Sequence, residues 1–242
     1  MTIEIPHCNS IESSDREHFV LRLDTNGQWN EHLHETTENN FDHEDHENYF
    51  EGATTKIFTT DFPRCFLIAS RIKQDNFWIG PDGEIAKSSV EPGVKVVFLP
   101  NAVSRLVRVG IQVLHVNTNL ASSPIVTIEP RRKKVKKAVT VTIPLPEGTK
   151  NLNNLKLLSS ISGKLSTYQK CTNLYIIFVA GGTDKAEWKD VTNRTKLTFS
   201  DTCVQFQTAV TGRFWLLETE NTLESSEIES IATKLYYETI QY

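Results

Sequence analysis

The sequence predicts an all-β protein built from two related antiparallel modules, followed by one short helix. Three observations support this prediction. Apolar and polar residues alternate along several short runs, as expected of strands that bury one face. Turns containing glycine separate these runs, which is typical of antiparallel β-sandwiches and partial barrels. One strand pattern also occurs twice, since Ile3-Glu4-Ile5-Pro6 returns as Val141-Thr142-Ile143-Pro144.

The strands are predicted from alternation. Apolar residues recur at every second position in three places, which are Phe19, Leu21 and Leu23, then Val107, Val109, Ile111 and Val113, then Val139, Val141 and Ile143. Turn signals lie between such runs at Thr25-Asn26-Gly27, Pro81-Asp82-Gly83 and Glu91-Pro92-Gly93. Each run therefore reads as a strand with one buried face and one solvated face.

Helical spacing is confined to the end of the chain. There Ile228, Ile231, Leu235 and Tyr236 fall three or four residues apart, as on one face of an amphipathic helix. Ser225-Ser226-Glu227 precedes them as a capping region. The spacing predicts a helix over residues 224–239.

The repeat continues beyond the Ile-Pro strand. Each copy runs to a turn ending on a tryptophan, Trp29 or Trp188, and then to an Asp-containing strand, 59–66 or 199–206. Residues 80–140 precede the second copy and have no counterpart before the first. We interpret the chain as a fragment whose first module lacks its beginning, so that strands 19–23 and 57–66 are expected to lack pairing partners.

Composition excludes several classes of protein. The chain has 242 residues, 38% of them hydrophobic and 23% charged, which is ordinary for a soluble protein of one or two domains. No apolar stretch approaches the roughly 18 residues that cross a bilayer. The net charge of -4 argues against general nucleic-acid binding. We expect a cytoplasmic protein without membrane insertion.

The four cysteines show no Cys-x-x-Cys spacing. They are Cys8, Cys65, Cys171 and Cys203, and each lies in or beside an apolar, strand-like run. Disulfide frameworks and zinc sites are therefore disfavoured. The expectation is buried, reduced thiols.

Six ordered motifs resemble the spectrin-binding region of ankyrins. They are Thr59-Thr60-Asp61-Phe62-Pro63, then Ser70-Arg71 with Gln74-Asp75, then Ile79-Gly80-Pro81-Asp82-Gly83, then Phe98-Leu99-Pro100-Asn101-Ala102-Val103, then Ser123-Pro124-Ile125-Val126-Thr127-Ile128-Glu129-Pro130-Arg131-Arg132, and finally Gly182-Thr183-Asp184-Lys185-Ala186-Glu187-Trp188. In that family two tandem β modules precede a domain called UPA. These β modules, called ZU modules, are shared with zonula occludens scaffolds and netrin receptors.

The resemblance implies a domain organisation. Residues 1–71 correspond to the C-terminal part of the first ZU module, and 72–79 to a linker. Residues 80–217 correspond to the second ZU module, and 218–242 to the beginning of UPA.

The resemblance also implies a non-enzymatic adaptor without a cofactor. Ankyrins join membrane proteins to the spectrin cytoskeleton at the inner face of the plasma membrane, and their first ZU module carries the spectrin contact. Spectrin is therefore the expected partner, with binding weakened if that module is incomplete. Other ZU, UPA or death-domain segments of the full-length protein are further expected partners. An alternative is the ZU/UPA region of a netrin-receptor-like or death-domain signalling protein that acts in autoinhibition, but two tandem ZU modules favour the ankyrin interpretation.

One motif bears on a possible enzymatic activity, self-cleavage. Some relatives of the ZU module cleave themselves at a His-Phe-Ser that follows the Ile-Pro strand, where the serine hydroxyl is the nucleophile. Here the residues are His7-Cys8-Asn9, and Ser10 is displaced by one position. Because a tight turn does not tolerate that shift, we predict no catalytic residue and interpret His7 as a polar strand-end residue.

Two charged segments are candidate sites. Residues 31–51 contain His32, His34, His43 and His46 among many carboxylates; such spacings can bind zinc, but the acidic composition favours a solvated insertion, and no metal site is predicted. The opposite case is a basic patch that comprises Arg131, Arg132, Lys133, Lys134, Lys136 and Lys137. It is the predicted partner-binding site, for acidic spectrin-like helices or, by peripheral association, anionic lipid headgroups. The alternative is an exposed edge whose lysines prevent aggregation.

Residues 164–181 interrupt the resemblance. The family joins the sequences on either side of them directly. They are interpreted either as a retained small intron or as a real hairpin extension.

Overall fold

In a computed structural model of the chain, the described residues are 1–7, 14–38, 53–161, 186–220 and 222–240. They form two compact units, of which the first is Met1–Ile72 and the second begins at Lys73. The all-β prediction is confirmed, because the described strands pair in antiparallel sheets and a short helix lies near the end of the chain.

The first unit contains two three-stranded sheets with orders β1-β5-β4 and β3-β2-β6. Its strands are β1 (Thr2–His7), β2 (Arg16–Leu23), β3 (Trp29–His32), β4 (His34–Glu38), β5 (Ala53–Phe58) and β6 (Cys65–Ile72). Val20, Leu21 and Ile57 are the buried hydrophobic side chains among its described residues. Three side chains make a small hydrophobic core among the described residues of this unit.

The expectation that strands 19–23 and 57–66 lack partners is wrong. In the described residues β2 pairs with both β3 and β6, and β5 pairs with both β1 and β4. The extra partners β3 and β4 include residues 31–38, which the sequence assigned to a solvated insertion. Hydrogen bonds to β2 and β5 satisfy the backbone of this polar segment, so strand pairing outweighs its composition.

The second unit contains a six-stranded sheet, β14-β13-β17-β11-β10-β7, and a five-stranded sheet, β15-β16-β12-β9-β8. The strands are β7 (Gln74–Ile79), β8 (Glu84–Lys87), β9 (Lys95–Phe98), β10 (Val107–Leu114), β11 (Ile125–Glu129), β12 (Lys134–Pro144), β13 (Leu155–Ser160), β14 (Lys189–Asp190), β15 (Thr198–Phe199), β16 (Cys203–Val210) and β17 (Arg213–Glu218). Short 3-10 turns lie at Leu152–Asn154 and Thr192–Arg194.

The two sheets of the second unit enclose one hydrophobic core. Ile111 on β10 and Leu216 on β17 reach it from one sheet, and Val141 on β12 reaches it from the other. Phe206 and Phe214 meet across the core with ring centroids 5.1 Å apart. The alternating apolar residues of strands such as β10 therefore face the core, as the sequence predicted, and the intervening residues face outward.

The helix α1 (Ser225–Ile240) confirms the predicted helix over 224–239. Its start is capped by Glu227, whose carboxylate accepts a hydrogen bond from the Glu224 N–H at 2.9 Å. Ile228, Ala232 and Tyr236 form its buried face. Tyr236 packs edge-on against Trp188, with ring centroids 5.7 Å apart, which ties the helix to the unit.

The duplication predicted from the sequence is visible in the strand order. Neighbours β3-β2-β6 and β1-β5-β4 in the first unit match β14-β13-β17 and β12-β16-β15 in the second, in the same chain order. However, Pro6 faces Thr54 on β5 whereas Pro144 faces Cys203 on β16. Strand β5 thus ends before Asp61, and its counterpart β16 begins after the second aspartate. The predicted equivalence of 59–66 and 199–206 is therefore wrong.

The division into domains stays a prediction, although two features bear on where the boundaries could lie. The stretch assigned as a linker, 72–79, contains β7, which hydrogen-bonds to β10 in the second unit. The stretch assigned to UPA, 218–242, contains α1, whose residue Glu229 binds the Lys189 ammonium at 2.9 Å.

Candidate partner-binding surface

The predicted basic patch lies where β11 turns into β12. Arg132 has a φ of 62°, in the left-handed region that non-glycine residues rarely adopt. Thr211 supports this turn, since the Arg132 N–H donates to its carbonyl oxygen at 2.9 Å and its own N–H donates to the Lys133 carbonyl at 3.0 Å. The Thr211 hydroxyl also donates to the Pro130 carbonyl. The backbone that carries the cations is therefore held by hydrogen bonds.

Two of the six cations are engaged in the protein's own contacts. Arg131 Nε lies 2.9 Å from Glu129 Oε1, and both side chains of this ion pair are largely shielded from solvent. Arg132 Nε donates to the Ile161 carbonyl oxygen at 2.7 Å. These arginines stabilise the turn and have less capacity left for a partner.

A bulge in β12 presents the lysines that follow. Lys134 pairs with Val210 and Val139 pairs with Thr208, so β12 has extra residues between these two positions. Within the bulge Val135 packs against the core, whereas Lys134, Lys136 and Lys137 are exposed. The Lys136 N–H donates to the Ala102 carbonyl oxygen at 2.8 Å, which ties the bulge to the loop before β10.

A cavity of about 110 Å³ opens between this loop and the bulge. Its lining consists of Ala102, Val103, Ser104, Arg105, Val107, Lys133, Lys134 and Lys136. Four of these eight residues carry a positive charge. Among the described residues no carboxylate forms an ion pair with any of the four. We call these four residues, Arg105, Lys133, Lys134 and Lys136, the cationic cluster.

Lys133 differs from Lys134, Lys136 and Lys137, whose side chains are exposed. It is half-buried because it lies against the wall of the cavity. This partial burial, with a smaller contribution from the positive charge of Arg105, lowers the pKa of Lys133 below its usual value. Both effects disfavour the charged form, and an anion in the cavity would oppose them.

Arg105 was not predicted from the sequence. It belongs to the loop between β9 and β10, where a single arginine stands among uncharged neighbours. The Lys136–Ala102 hydrogen bond is one of the contacts that hold this loop against the basic segment. A signal in the sequence was the family-like motif 98–103 directly before it, which indicated an ordered loop but not a charged one.

The histidines that could be described do not converge on a metal. His32 Nε2 lies 2.8 Å from the Phe58 carbonyl oxygen, and His34 bonds through both ring nitrogens to the carbonyls of His32 and His18. No group of three or more potential ligands was found within the described ranges. His43 and His46 lie outside them.

The prediction of buried thiols is wrong for both cysteines that could be described. Cys65 is exposed at the start of the edge strand β6, and Cys203 is half-buried with its Sγ 2.9 Å from Ser200 Oγ. Both are free thiols. Alternation places Cys65 on the outer side of its strand, so an apolar neighbourhood in sequence did not mean burial. Cys8 and Cys171 lie outside the described residues.

Two further predictions fall on undescribed segments. His7 ends β1. The rest of the segment aligned with the self-cleavage motif, Cys8, Asn9 and Ser10, lies outside the described residues. The interruption at 164–181 also lies outside them.

Asp61, from the first family-like motif, has a structural role. Both of its carboxylate oxygens accept hydrogen bonds from Arg22 on β2 at 3.0 Å. The Thr59 hydroxyl donates to the Asp61 carbonyl at 2.6 Å. The guanidinium of Arg22 lowers the pKa of Asp61 below its usual value. This pair joins the β5–β6 turn to β2.

Comparison with known proteins places the chain in a family. No protein-family model matches it. Human ankyrin-3 is 37% identical to the chain over 266 residues, an alignment that covers 98% of the chain and 6% of ankyrin-3. Human ankyrin-1 is 35% identical over 263 residues, covering 98% of the chain and 13% of ankyrin-1. The chain belongs to the ankyrin family.

Mouse ankyrin-3 gives the same result, with 36% identity over 98% of the chain and 12% of its own length. This ankyrin chain therefore spans only a small part of the relatives that it matches. In its described parts no helix has both the length and the apolar character needed to cross a membrane. The assignment of ZU modules and of UPA within the ankyrin chain stays a prediction.

Proposed function

We propose that this ankyrin chain is a non-enzymatic adaptor that links membrane proteins to the spectrin-based cytoskeleton through protein–protein contacts. It would act in the cytoplasm, at the inner face of the plasma membrane, as a scaffold. Other ZU, UPA or death-domain segments of the same protein are further proposed partners. The observation that carries the proposal is the cationic cluster, which has no ion pair within the described residues although the chain has a net charge of -4.

Three points support an electrostatic protein contact. The lysines stand on a backbone that hydrogen bonds to Thr211 and Ala102 hold in place, so the segment that carries them is ordered before a partner binds. Fixed positive charge favours encounter with an acidic surface and shortens the search for it. Relationship to ankyrins favours spectrin as that acidic partner over an unrelated protein.

The test is calorimetry of the whole chain with recombinant spectrin repeats at two salt concentrations. Binding should weaken at higher salt, because the Debye length falls below about 10 Å above 0.1 M salt. Replacing the three exposed lysines of the bulge by glutamine (Lys134→Gln, Lys136→Gln, Lys137→Gln) should weaken binding about tenfold, or about 1.4 kcal/mol.

The matched control removes the same charge elsewhere on the second unit. Lys87, Lys150 and Lys196 are also exposed, and their replacement by glutamine should change the affinity less than about threefold, since their charges lie away from the contact. Wild-type protein that binds no spectrin repeat at either salt concentration would contradict the proposed function.

A further inference from the structure

We propose that the cavity of the cationic cluster is a carboxylate-binding site that receives an Asp or Glu side chain from an acidic, partly apolar segment of a protein partner. The inference rests on the proposed function as a protein-binding adaptor, and it names the recognition chemistry. It differs from the sequence prediction because it excludes Arg131 and Arg132 as the main contacts and adds Arg105.

The first argument is charge balance. Cations that converge on one site usually have carboxylates near them, because like charges repel each other. Arg131 has such a partner in Glu129 at 2.9 Å. The four residues of the cationic cluster have none among the described residues, and Lys133 is also partly desolvated. A bound anion would offset both the repulsion among the cations and the energetic cost of desolvating Lys133.

The second argument is size. A cavity needs a volume of about 10–15 Å³ open to the centre of a water-sized sphere to hold one water molecule. At about 110 Å³, the cavity has room for a carboxylate group with some bound water. The ligand groups reach it from two segments, Arg105 from the loop before β10 and Lys133, Lys134 and Lys136 from the start of β12. Charged hydrogen bonds from two sides would fix the position of one carboxylate.

The third argument distinguishes a protein from a free anion or a lipid headgroup. Leu106 directly follows Arg105 and is 61% exposed. Its δ1 carbon lies 3.8 Å from the position that a Cβ on Gly80 would occupy, so it lies against the end of β7. Trp78 lies directly opposite Arg108 in the pairing of β7 with β10, and its side chain is 63% exposed. Trp and Arg are enriched at protein interfaces and contribute much of their binding energy, and Leu106 adds exposed apolar surface next to Arg105.

Two capped peptides of equal charge test the inference without spectrin. One is an oligoglutamate, and the other has the same number of glutamates with leucines between them. Both are titrated into the whole chain and followed by amide NMR shifts. We expect shifts centred on 102–107 and 133–136, and tighter binding of the leucine-containing peptide.

The double variant Arg105→Gln, Lys133→Gln should bind both peptides about tenfold more weakly, because it lacks two charged hydrogen-bond donors. The matched control, Arg194→Gln with Lys196→Gln, removes the same charge from two exposed residues elsewhere on the second unit and should retain binding. The conservative variant Arg105→Lys with Lys133→Arg should also retain most of the affinity. Trp78→Ala should lower the affinity for the leucine-containing peptide and leave the affinity for oligoglutamate unchanged.

A second readout follows Lys133 itself. The shift of its ε carbon, titrated with alkali, should show that bound peptide raises the pKa of Lys133, because a nearby carboxylate favours the charged form. Equal binding by the Arg105/Lys133 variant and its control would overturn the inference, as would amide shifts centred elsewhere. Binding of phosphatidylserine vesicles in preference to both peptides would overturn the assignment to a protein.

The two proposals fail separately. If spectrin repeats bind but the Arg105/Lys133 variant binds them equally well, the carboxylate site is wrong and the adaptor function stands. If the peptides bind at the cavity but no spectrin repeat does, the site stands and its partner is another acidic protein.

Discussion

Gly83→Ala should strongly destabilise the second unit and disturb the loop that carries Arg105. Gly83 has a φ of 80°, which residues with a Cβ rarely adopt. A Cβ at this position would lie 2.4 Å from the Phe98 carbonyl oxygen and 2.9 Å from Pro100 N. Both are backbone atoms, so neither can move away by a side-chain rotation.

The magnitude follows from two contributions. The left-handed conformation costs an alanine about 1–2 kcal/mol, and overpacking a closed site adds about 1–3 kcal/mol. Gly148 separates them, because it has a φ of 74° and its Cβ would meet nothing within 4 Å. Gly148→Ala should therefore cost about 1–2 kcal/mol, and Gly83→Ala about 2–5 kcal/mol.

Urea unfolding followed by tryptophan fluorescence measures both variants. Trp188 and Trp215 are buried in the second unit and report its unfolding. Thermal unfolding gives a second measurement, in which each kcal/mol of lost stability lowers Tm by about 2–4 °C at this domain size. Because segment 98–100 leads into the loop before β10, Gly83→Ala should also weaken the binding of acidic peptides. Equal unfolding free energies for Gly83→Ala and Gly148→Ala would refute the steric argument.

Two further predictions concern pH and local stability. Because burial lowers the pKa of Lys133 in the folded state, the unfolded chain binds more protons just below the usual lysine pKa, and stability gains from this group as pH rises. The gain in unfolding free energy of Lys133→Gln over wild type should therefore be largest near neutral pH and should shrink in alkali. Urea titrations that show the same free-energy difference at both pH values would contradict the burial of the ammonium. In hydrogen exchange of the whole chain, amides of β2 and β5 should exchange faster than those of β10 and β12, because the first unit buries few hydrophobic side chains in its described residues. Equal protection in both units would show that its stability does not depend on a large core.

Local patterns in the sequence were enough for much of the fold. Alternation predicted β10, whose Val109, Ile111 and Val113 are buried, because a strand with one wet face must place every second residue inward. The spacing of Ile228 and Tyr236 predicted α1 for the same reason, at the helical period. The turn at Pro81-Asp82-Gly83 was predicted because a positive φ favours glycine.

Strand pairing explains what composition could not predict. Residues 31–38 are mostly polar and carry several charges, yet they form the end of β3 and all of β4 because β2 and β5 offer unsatisfied backbone groups. The match between 59–66 and 199–206 was misleading for a related reason. Similar short strings can fall at different places in a repeated fold, and hydrogen-bond register, here Pro6 with Thr54 and Pro144 with Cys203, decides which strands are equivalent.

The candidate site shows the same limit for charge. A run of cations in a sequence shows how much positive charge a segment has, but not how much of it is already neutralised. Arg131 has a carboxylate partner in Glu129, whereas Arg105, which lies far from the run of cations in the sequence, joins the bulge lysines around a cavity. Charges that have no partner before association are the ones that a complementary surface can recognise, and they raise the rate and specificity of binding. The proposed partner-binding surface therefore rests on cations that have no ion pair among the described residues, and the hydrogen bond from Lys136 to Ala102 joins the two segments that carry them.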